Sequence, residues 1–130
     1  MSTYQGDLVR SVDFFGALGF GVEPKFTNDD AACLVAADNI FVMLLVELLF
    51  ETFPKTAVCD ATKSTEVLVC LSCDSRAQVD DLVARAVAGG GTVPLAPQDH
   101  GFMYGQAFED LDGHVWELIY MDPAASPATA

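Results

Sequence analysis

The stretch Phe108-Glu-Asp-Leu-Asp-Gly-His-Val-Trp-Glu-Leu-Ile-Tyr-Met-Asp122 decides how the rest of the chain is interpreted. An Asp-Gly pair between two apolar runs is a strong signal for a tight hairpin turn, because Gly adopts positive φ without steric strain. The second run, Val115 to Met121, would be an apolar strand but for Glu117. Burying an unpaired carboxylate costs several kcal/mol, so we expect Glu117 to be paired, bound to a metal or protonated.

The composition excludes several classes of protein. A chain of 130 residues, 52% of them hydrophobic, fits a single soluble globular domain. The net charge of −13 disfavours nucleic acid as a partner, because phosphate binding draws on clustered Lys and Arg. The longest apolar run, Ile40 to Val46, is too short to span a bilayer. We therefore expect a cytoplasmic protein that binds neither nucleic acid nor membrane.

The cysteines do not indicate a disulfide framework or a zinc site. Cys70 and Cys73 have C-x-x-C spacing, but residues three apart on a strand point to opposite faces. Neither a second Cys pair nor a suitably spaced His completes a zinc set. We expect Cys33, Cys59, Cys70 and Cys73 to be reduced residues that fill the core.

The chain falls into two halves with one order of elements. In the first half, capping and periodicity predict a short frayed strand, a helix from Asp7 to Gly19, and strands over 20–26, 31–36 and 40–46. In the second half they predict a strand over 66–72, a helix that begins at Asp74-Ser75 and ends near Ala88, and strands over 92–95, 103–109 and 114–121. Such internal repetition outranks any single local propensity.

These elements predict an α+β fold of two βαβββ modules. Each module forms a curved mixed sheet with a helix on its outer face, and the first strand of module 1 is shortened. We place module 1 at about 1–54, a linker at 55–64, module 2 at about 65–122 and a disordered tail at 123–130, all within one domain.

Two motifs resemble a known family. The pattern Asp-Leu-x-Arg-Ser-Val-x-Phe-Phe-x-x-Leu-Gly-Phe at 7–20 and Phe-x-Asp-x-Asp-Gly-His-x-Trp-Glu at 108–117 resemble the vicinal oxygen chelate superfamily. This group contains glyoxalase I, extradiol dioxygenases, fosfomycin-resistance enzymes and bleomycin-resistance proteins. The resemblance implies paired βαβββ modules and a homodimer in which the cup-shaped sheets close around shared sites. It does not by itself imply a function.

The resemblance also implies where metal ligands would lie. In metal-dependent members each module supplies one ligand near the start of its first strand and one in its last strand, often His and Glu. Glu117 matches the last-strand position of module 2, and Met43 matches that of module 1. The first-strand position is Val67, or Glu66 or Leu68 after a shift of one residue, and in module 1 it falls before the chain begins. Because a divalent cation needs several oxygen or nitrogen donors, we expect no metal and no cofactor.

The predicted site residues come mainly from strand alternation. Catalytic candidates are Glu117 and His100, which lies in a loop between Pro and Gly. The residues predicted to bind a ligand are Phe41, Met43, Leu45, Tyr104, Gln106, Val115 and Glu117. If these side chains point into the cups, they form a mostly apolar pocket with one acid, which is typical of a small-molecule site. If the cups are packed shut, the same residues are core.

Three functional hypotheses follow. The first is a metal-independent member that binds a small, partly apolar and cationic molecule in an apolar cleft, like the drug-sequestering resistance proteins. The second is a metal-dependent lyase or dioxygenase in which Glu117 recruits Glu66 or His100. The third is a non-catalytic module whose main role is to form a dimer interface.

Overall fold

The structure, a computed structural model, describes residues 2–5, 7–53, 56–65 and 67–124. The chain divides into two compact units, Met1–Ser64 and Thr65–Ala130. Most of the tail predicted to be disordered lies beyond residue 124, outside the described residues. Within the described ranges, no helix is both long and apolar enough to cross a membrane.

The first unit is one mixed sheet with a helix on it. Its elements are β1 (Ser2–Gln5), α1 (Leu8–Ala17), β2 (Gly21–Val22), β3 (Ala31–Ala37), β4 (Ile40–Val46) and α2 (Glu47–Phe50). The strand order is β1-β4-β3-β2, with β1 parallel to β4 and the other pairs antiparallel. Asp7 caps α1 because its side chain accepts the Arg10 N–H at 3.0 Å, and Gly19 ends the helical segment at a φ of 99°.

Two features of the first unit differ from what the sequence suggests. The shortened first strand still completes the sheet edge, since Ser2 pairs opposite Met43 and Gln5 opposite Val46. The predicted strand over 20–26 is wrong beyond Val22, because a 3-10 turn occupies Pro24–Phe26. Proline has no N–H for a strand partner, so it begins this turn instead of extending the strand.

The second unit repeats the plan. Its elements are β5 (Leu68–Ser72), α3 (Arg76–Ala88), β6 (Gln98–Asp99), β7 (Met103–Glu109) and β8 (Val115–Met121), in the sheet order β5-β8-β7-β6. Ser75 caps α3 by accepting the Gln78 N–H at 3.0 Å. The predicted strand over 92–95 is wrong. Only Thr92 bridges to Glu109, and the short strand comes after Pro97, because neither Pro94 nor Pro97 can donate to a neighbouring strand.

Each helix covers one face of its own sheet. In the first unit, Phe14 and Phe15 of α1 are buried, as are Leu34 and Leu44 of the sheet. In the second unit, the apolar stripe of α3 packs on β7 and β8, where Phe108 and Trp116 stack with their ring centroids 6.3 Å apart. The prediction of two βαβββ modules with helices on their faces is confirmed.

The prediction for the cysteines is only half right. All four are free thiols, and Cys33 and Cys73 are buried as expected. Cys59 is half-buried and Cys70 is exposed, so neither fills a core. Cys70 differs because it lies on the face of β5 that no helix covers, whereas its neighbour Val69 faces the core.

Candidate functional site

A cavity of about 380 Å³ lies on the face of the second sheet that α3 leaves uncovered. Strand alternation assigns its floor to every second residue of three strands. Three rows of paired residues cross this floor: Leu68 with Val115 and Glu109, then Glu117 with Ala107, then Ile119 with Gly105 and Gln98. The loop residues Pro94, Leu95 and Ala96 form a wall. The small residues Gly105 and Ala107 leave the space above the central row.

Glu117 stands in the central row of this floor. Its strand β8 places it opposite Ala107 on one side and opposite Cys70 on the other. The side chain is half-buried, and it makes no hydrogen bond or ion pair with another described residue. Partial desolvation by neighbouring atoms chiefly, and the Glu117 charge secondarily, raise the pKa of the Cys70 thiol. Glu117 is therefore a carboxylate that faces the cavity, not the paired and buried group that the apolar strand suggested.

The carboxylate that is buried in the hairpin is Asp110, which is 5% exposed. Oδ1 accepts the backbone N–H groups of Asp112 and His114 at 2.9 and 3.0 Å, and Oδ2 accepts the Trp116 indole N–H at 3.0 Å. Burial raises the pKa of Asp110, while the His114 charge and these hydrogen bonds oppose that rise. The Asp-x-Asp-Gly-His-x-Trp motif therefore closes the turn and is structural.

The cavity holds a second carboxylate, Glu109, that the sequence interpretation missed. Glu109 pairs opposite Val115, so it lies diagonally from Glu117 on the same face of the sheet. Its Oε2 accepts the Thr92 hydroxyl at 3.2 Å. No Lys, Arg or His is among the described lining residues. The cavity is therefore apolar with a negative floor, which favours a cation.

Tyr104 and Gln106 do share a face of β7, as alternation predicts, but it is the helix face. The Tyr104 hydroxyl and the Gln106 amide both donate to Asp80 of α3. Bonding to Asp80 and burial raise the pKa of Tyr104. Gln106 also contributes to the cavity lining, while Tyr104 does not. Ligand binding by this pair stays a prediction that the geometry does not favour.

The other predicted residues divide between the two units. Val115 and Glu117 line the cavity. Phe41, Met43 and Leu45 share one face of β4 in the first unit and are not part of this cavity's lining. His100 is exposed in the loop after β6, with its ring 6.4 Å from that of Phe102, and it does not line the cavity.

The donors at the metal-ligand positions do not fit a metal site. The residue opposite Glu117 is Cys70, the residue opposite Met43 is Ser2, and Val67 lies directly before β5. Among the residues that the structure describes, no three His, Cys, Asp or Glu side chains cluster closely enough to hold an ion. One carboxylate and one thiol in the second unit fall short of the three or four protein ligands that zinc uses. Glu66 lies outside the described residues.

Several solved structures share this fold. The hypothetical protein SA1046 from S. aureus is 26% identical, with a TM-score of 0.78 over 92% of this chain and 89% of that chain. A glyoxalase/bleomycin resistance protein/dioxygenase family enzyme from Burkholderia phytofirmans PsJN is 19% identical, with a TM-score of 0.76 over 93% and 95% of the two chains. Lactoylglutathione lyase from Agrobacterium tumefaciens is 16% identical, with a TM-score of 0.66 over 92% and 90%.

Comparison at the level of sequence gives the family. No curated protein matches the chain. The family model described as the Glyoxalase/Bleomycin resistance protein/Dioxygenase superfamily matches residues 2–118, which span both modules and both sequence motifs. With the paired βαβββ plan, this match establishes that the chain belongs to the Glyoxalase/Bleomycin resistance protein/Dioxygenase superfamily.

Proposed function

We propose that the protein binds a small, partly apolar cation in the cavity of the second unit, and that it does so without a metal or another cofactor. The observation that carries this proposal is the half-buried Glu117 carboxylate, which no described residue pairs, at the centre of the cavity floor. A cationic group placed above it would gain a charge-assisted hydrogen bond. The second carboxylate, Glu109, adds to the negative potential.

The rest of the cavity supports the apolar part of the ligand. Leu68 and Leu95 are 54% and 64% exposed, and Met103 and Ile119 complete an apolar surface on either side of Glu117. Covering such surface contributes roughly 25 cal/mol per Å². The cavity volume of about 380 Å³ falls in the range that small-molecule sites occupy. A ligand with one aromatic ring system and one amine fits this combination.

A matched pair of ligands tests the proposal. Isothermal titration would compare a naphthylalkylammonium ion with the neutral naphthylalkyl alcohol of equal length. We expect the ammonium ion to bind about tenfold more tightly, because a hydrogen bond to a charged group exceeds a neutral one by about that factor. Equal affinities, or no heat from either ligand, would remove the support for Glu117 as the cation anchor.

Two variants separate the carboxylate from the general charge of the protein. Glu117→Gln should remove the preference for the ammonium ion and leave alcohol binding intact. Asp81→Asn removes the same charge from an exposed position on α3, across the sheet from the cavity, and should preserve the preference. If both variants change the preference equally, only long-range charge is involved.

A third variant tests whether the ligand occupies this cavity. A Cβ added at Gly105 would lie 3.6 Å from the Ile119 side chain, which is ordinary contact, so a side chain there is tolerated by the sheet. Gly105→Leu should fill the space above the floor and reduce affinity for both ligands by about tenfold or more. Unchanged affinity in a folded variant would place the binding site elsewhere.

We also propose that the protein is a homodimer and is cytoplasmic. The family resemblance supports the dimer, as do three large apolar side chains of the first unit, Phe26, Leu48 and Phe53, which are 64%, 79% and 69% exposed. Sedimentation equilibrium at micromolar concentration should give twice the mass of the chain. A monomer at all concentrations would contradict the dimer.

A further inference from the structure

An arginine on the helix side of the second unit holds the segment that forms the cavity wall. Arg76, the first residue of α3, donates from Nη1 to Asp99 Oδ2 at 2.7 Å and from Nη2 to Asp99 Oδ1 at 2.9 Å. Its Nη2 also donates to the Gly101 carbonyl at 3.0 Å. The guanidinium carbon lies 5.0 Å from the centre of the Tyr104 ring. This fork is the geometry that distinguishes Arg from Lys.

The strand that receives this contact has only two residues. In β6, Gln98 pairs opposite Gly105 and Asp99 opposite Tyr104. Because successive side chains of a strand point to opposite faces, Asp99 lies on the helix face and Gln98 lies on the cavity face. A slip of one residue would exchange the two faces. Holding Asp99 on the helix side therefore also holds Gln98 in the cavity.

Few other contacts specify the position of this edge strand. Asp99 Oδ1 accepts the Gly101 N–H at 2.9 Å, and Gly101 takes a φ of 79°, which turns the chain back towards β7. The residues before β6, Pro94 to Ala96, line the cavity through a segment that includes two prolines. We call residues 94–98 the wall segment. The Thr92–Glu109 bridge attaches the chain to β7 just before the wall segment, and the two-residue ladder, the turn after it and Arg76 attach its other end.

We propose that Arg76 is a positioning residue for the ligand cavity: through Asp99 it fixes the register of β6, and so keeps Gln98 and the rest of the wall segment over the floor that carries Glu117. The expected effect of Arg76 on ligand affinity rests on the proposed function. The effect of Arg76 on the position of β6 does not. Arg76 itself touches no cavity surface. An exposed ion pair on one face of the sheet thus shapes a binding surface on the other.

The same helix offers a matched control. Arg85 forms its ion pair with Asp81 at 3.0 Å within α3, at comparable exposure, whereas the ion pair of Arg76 joins α3 to β6. Arg76→Gln and Arg85→Gln therefore remove equal charge from one helix, and the long-range effect on a cationic ligand is similar. Arg76→Lys keeps the charge and loses the two-pronged contact.

Hydrogen exchange of the free protein tests the structural part without any ligand. Peptides covering residues 95–103 should exchange about threefold to tenfold faster in Arg76→Gln, because the edge strand opens more often. Arg76→Lys should be intermediate, and Arg85→Gln should match the wild type. Equal exchange in the two glutamine variants would overturn the inference, whatever the protein binds.

Titration with the naphthylalkylammonium ion tests the link to the cavity. We expect affinity to fall by about threefold to fivefold in Arg76→Gln, the range of an exposed ion pair, and by less than about twofold in Arg85→Gln. In the Arg76→Gln, Asp99→Asn double variant no further loss is expected, since both changes break one contact. If Arg76→Gln speeds hydrogen exchange but leaves the affinity for the ammonium ion unchanged, the role of Arg76 in binding is overturned. No binding by the wild type would instead contradict the proposed function, and the exchange result would still stand.

Discussion

The two modules share one framework and differ in what they place on the face of the sheet opposite the main helix. The residue opposite Met43 lies five positions before the helix cap of its module, as does the residue opposite Glu117, so these two residues correspond. In the same way, Cys33 and Ala31 of β3 correspond to Ala107 and Gly105 of β7. The second module therefore combines a carboxylate with smaller neighbours.

In this way one fold buries the face opposite the helix in one module and opens a cavity on it in the other. Cys33, Ala31 and Leu45 are 3%, 6% and 4% exposed in the first module, whereas Glu117 and Ile119 line an open cavity in the second. The framework is set by the helix-side rows, which are apolar in the first module and combine apolar residues with the Tyr104 and Gln106 bonds to Asp80 in the second. The opposite rows can change without altering strand pairing, because side chains on the two faces of a strand do not touch.

The largest expected effect concerns the turn that only the second module closes with a buried acid. Asp110→Ala would leave the Trp116 indole and two backbone N–H groups without this acceptor, at about 1–3 kcal/mol for each buried donor. We expect urea denaturation to show a loss of about 3 kcal/mol or more. Asp38→Ala, in the corresponding turn of the first module, is exposed and should lose less than about 1 kcal/mol. Equal losses would contradict the difference between the turns.

The next prediction concerns a substitution that gives the second module the residue of the first module at the centre of the sheet. Glu117→Met should weaken binding of the naphthylalkylammonium ion by about tenfold or more, because the cation loses its charged acceptor. Affinity for the neutral alcohol should stay within about threefold. Isothermal titration gives both values, and an ammonium affinity that survives the change would show that Glu117 does not bind the cation.

Thiol labelling compares the faces opposite the main helix in the two modules directly. Cys70 is exposed beside Glu117, while Cys33 is buried on the corresponding face of the first module. Burial raises the pKa of Cys73 to about 11, so little of it is thiolate at pH 8. With a small neutral methanethiosulfonate, peptide mapping should show Cys70 modified about tenfold faster than Cys33 or Cys73. Comparable rates for Cys33 and Cys70 would mean that the first module opens as readily as the second.

The smallest effect concerns the edge strand β6, for which β2 offers no equivalent ion pair among the described residues. Arg76 and the Gly101 N–H lower the pKa of Asp99 from 3.8 to about 2. The charged Asp99 carboxylate therefore stabilises the folded protein above about pH 3.8, and this stabilisation is lost as the pH falls through about 2. Carboxyl ¹³C titration of Arg76→Gln should return the pKa towards 3.8. A pKa that stays near 2 would show that Arg76 is not its main cause.

The fold could be predicted from local signals that tertiary packing does not override. The helix start is marked by the capping Asp7, and the helix end and the hairpin turn are marked by Gly19 and Gly113, which take positive φ. Apolar periodicity predicted the buried faces of the two long helices. The short edge strands could not be placed in the same way. Near Pro24 and Pro94, two-residue strands depend on pairing with a neighbour rather than on propensity.

The site was predictable in part. Ligand binding by Glu117 stays a prediction, although its side chain does line the cavity. The motif did not reveal that Asp110 is the buried acid of the hairpin. Counting outward from the Asp112-Gly113 turn pairs Ala107 with Glu117, which would have identified Glu109 and excluded Tyr104 from that face. The position of the wall segment could not be predicted, because the contact between Arg76 and Asp99 joins residues that are far apart in the sequence.

The most direct test of binding above Glu117 is an amide chemical-shift map of the ¹⁵N-labelled protein titrated with the naphthylalkylammonium ion. We predict saturable shifts along 103–109 and 115–119 and in the wall segment, with much weaker shifts along 31–37 and 40–46, and loss of the ammonium preference in Glu117→Gln. Saturable shifts confined to the first module, or none in either module, would contradict binding in the cavity above Glu117.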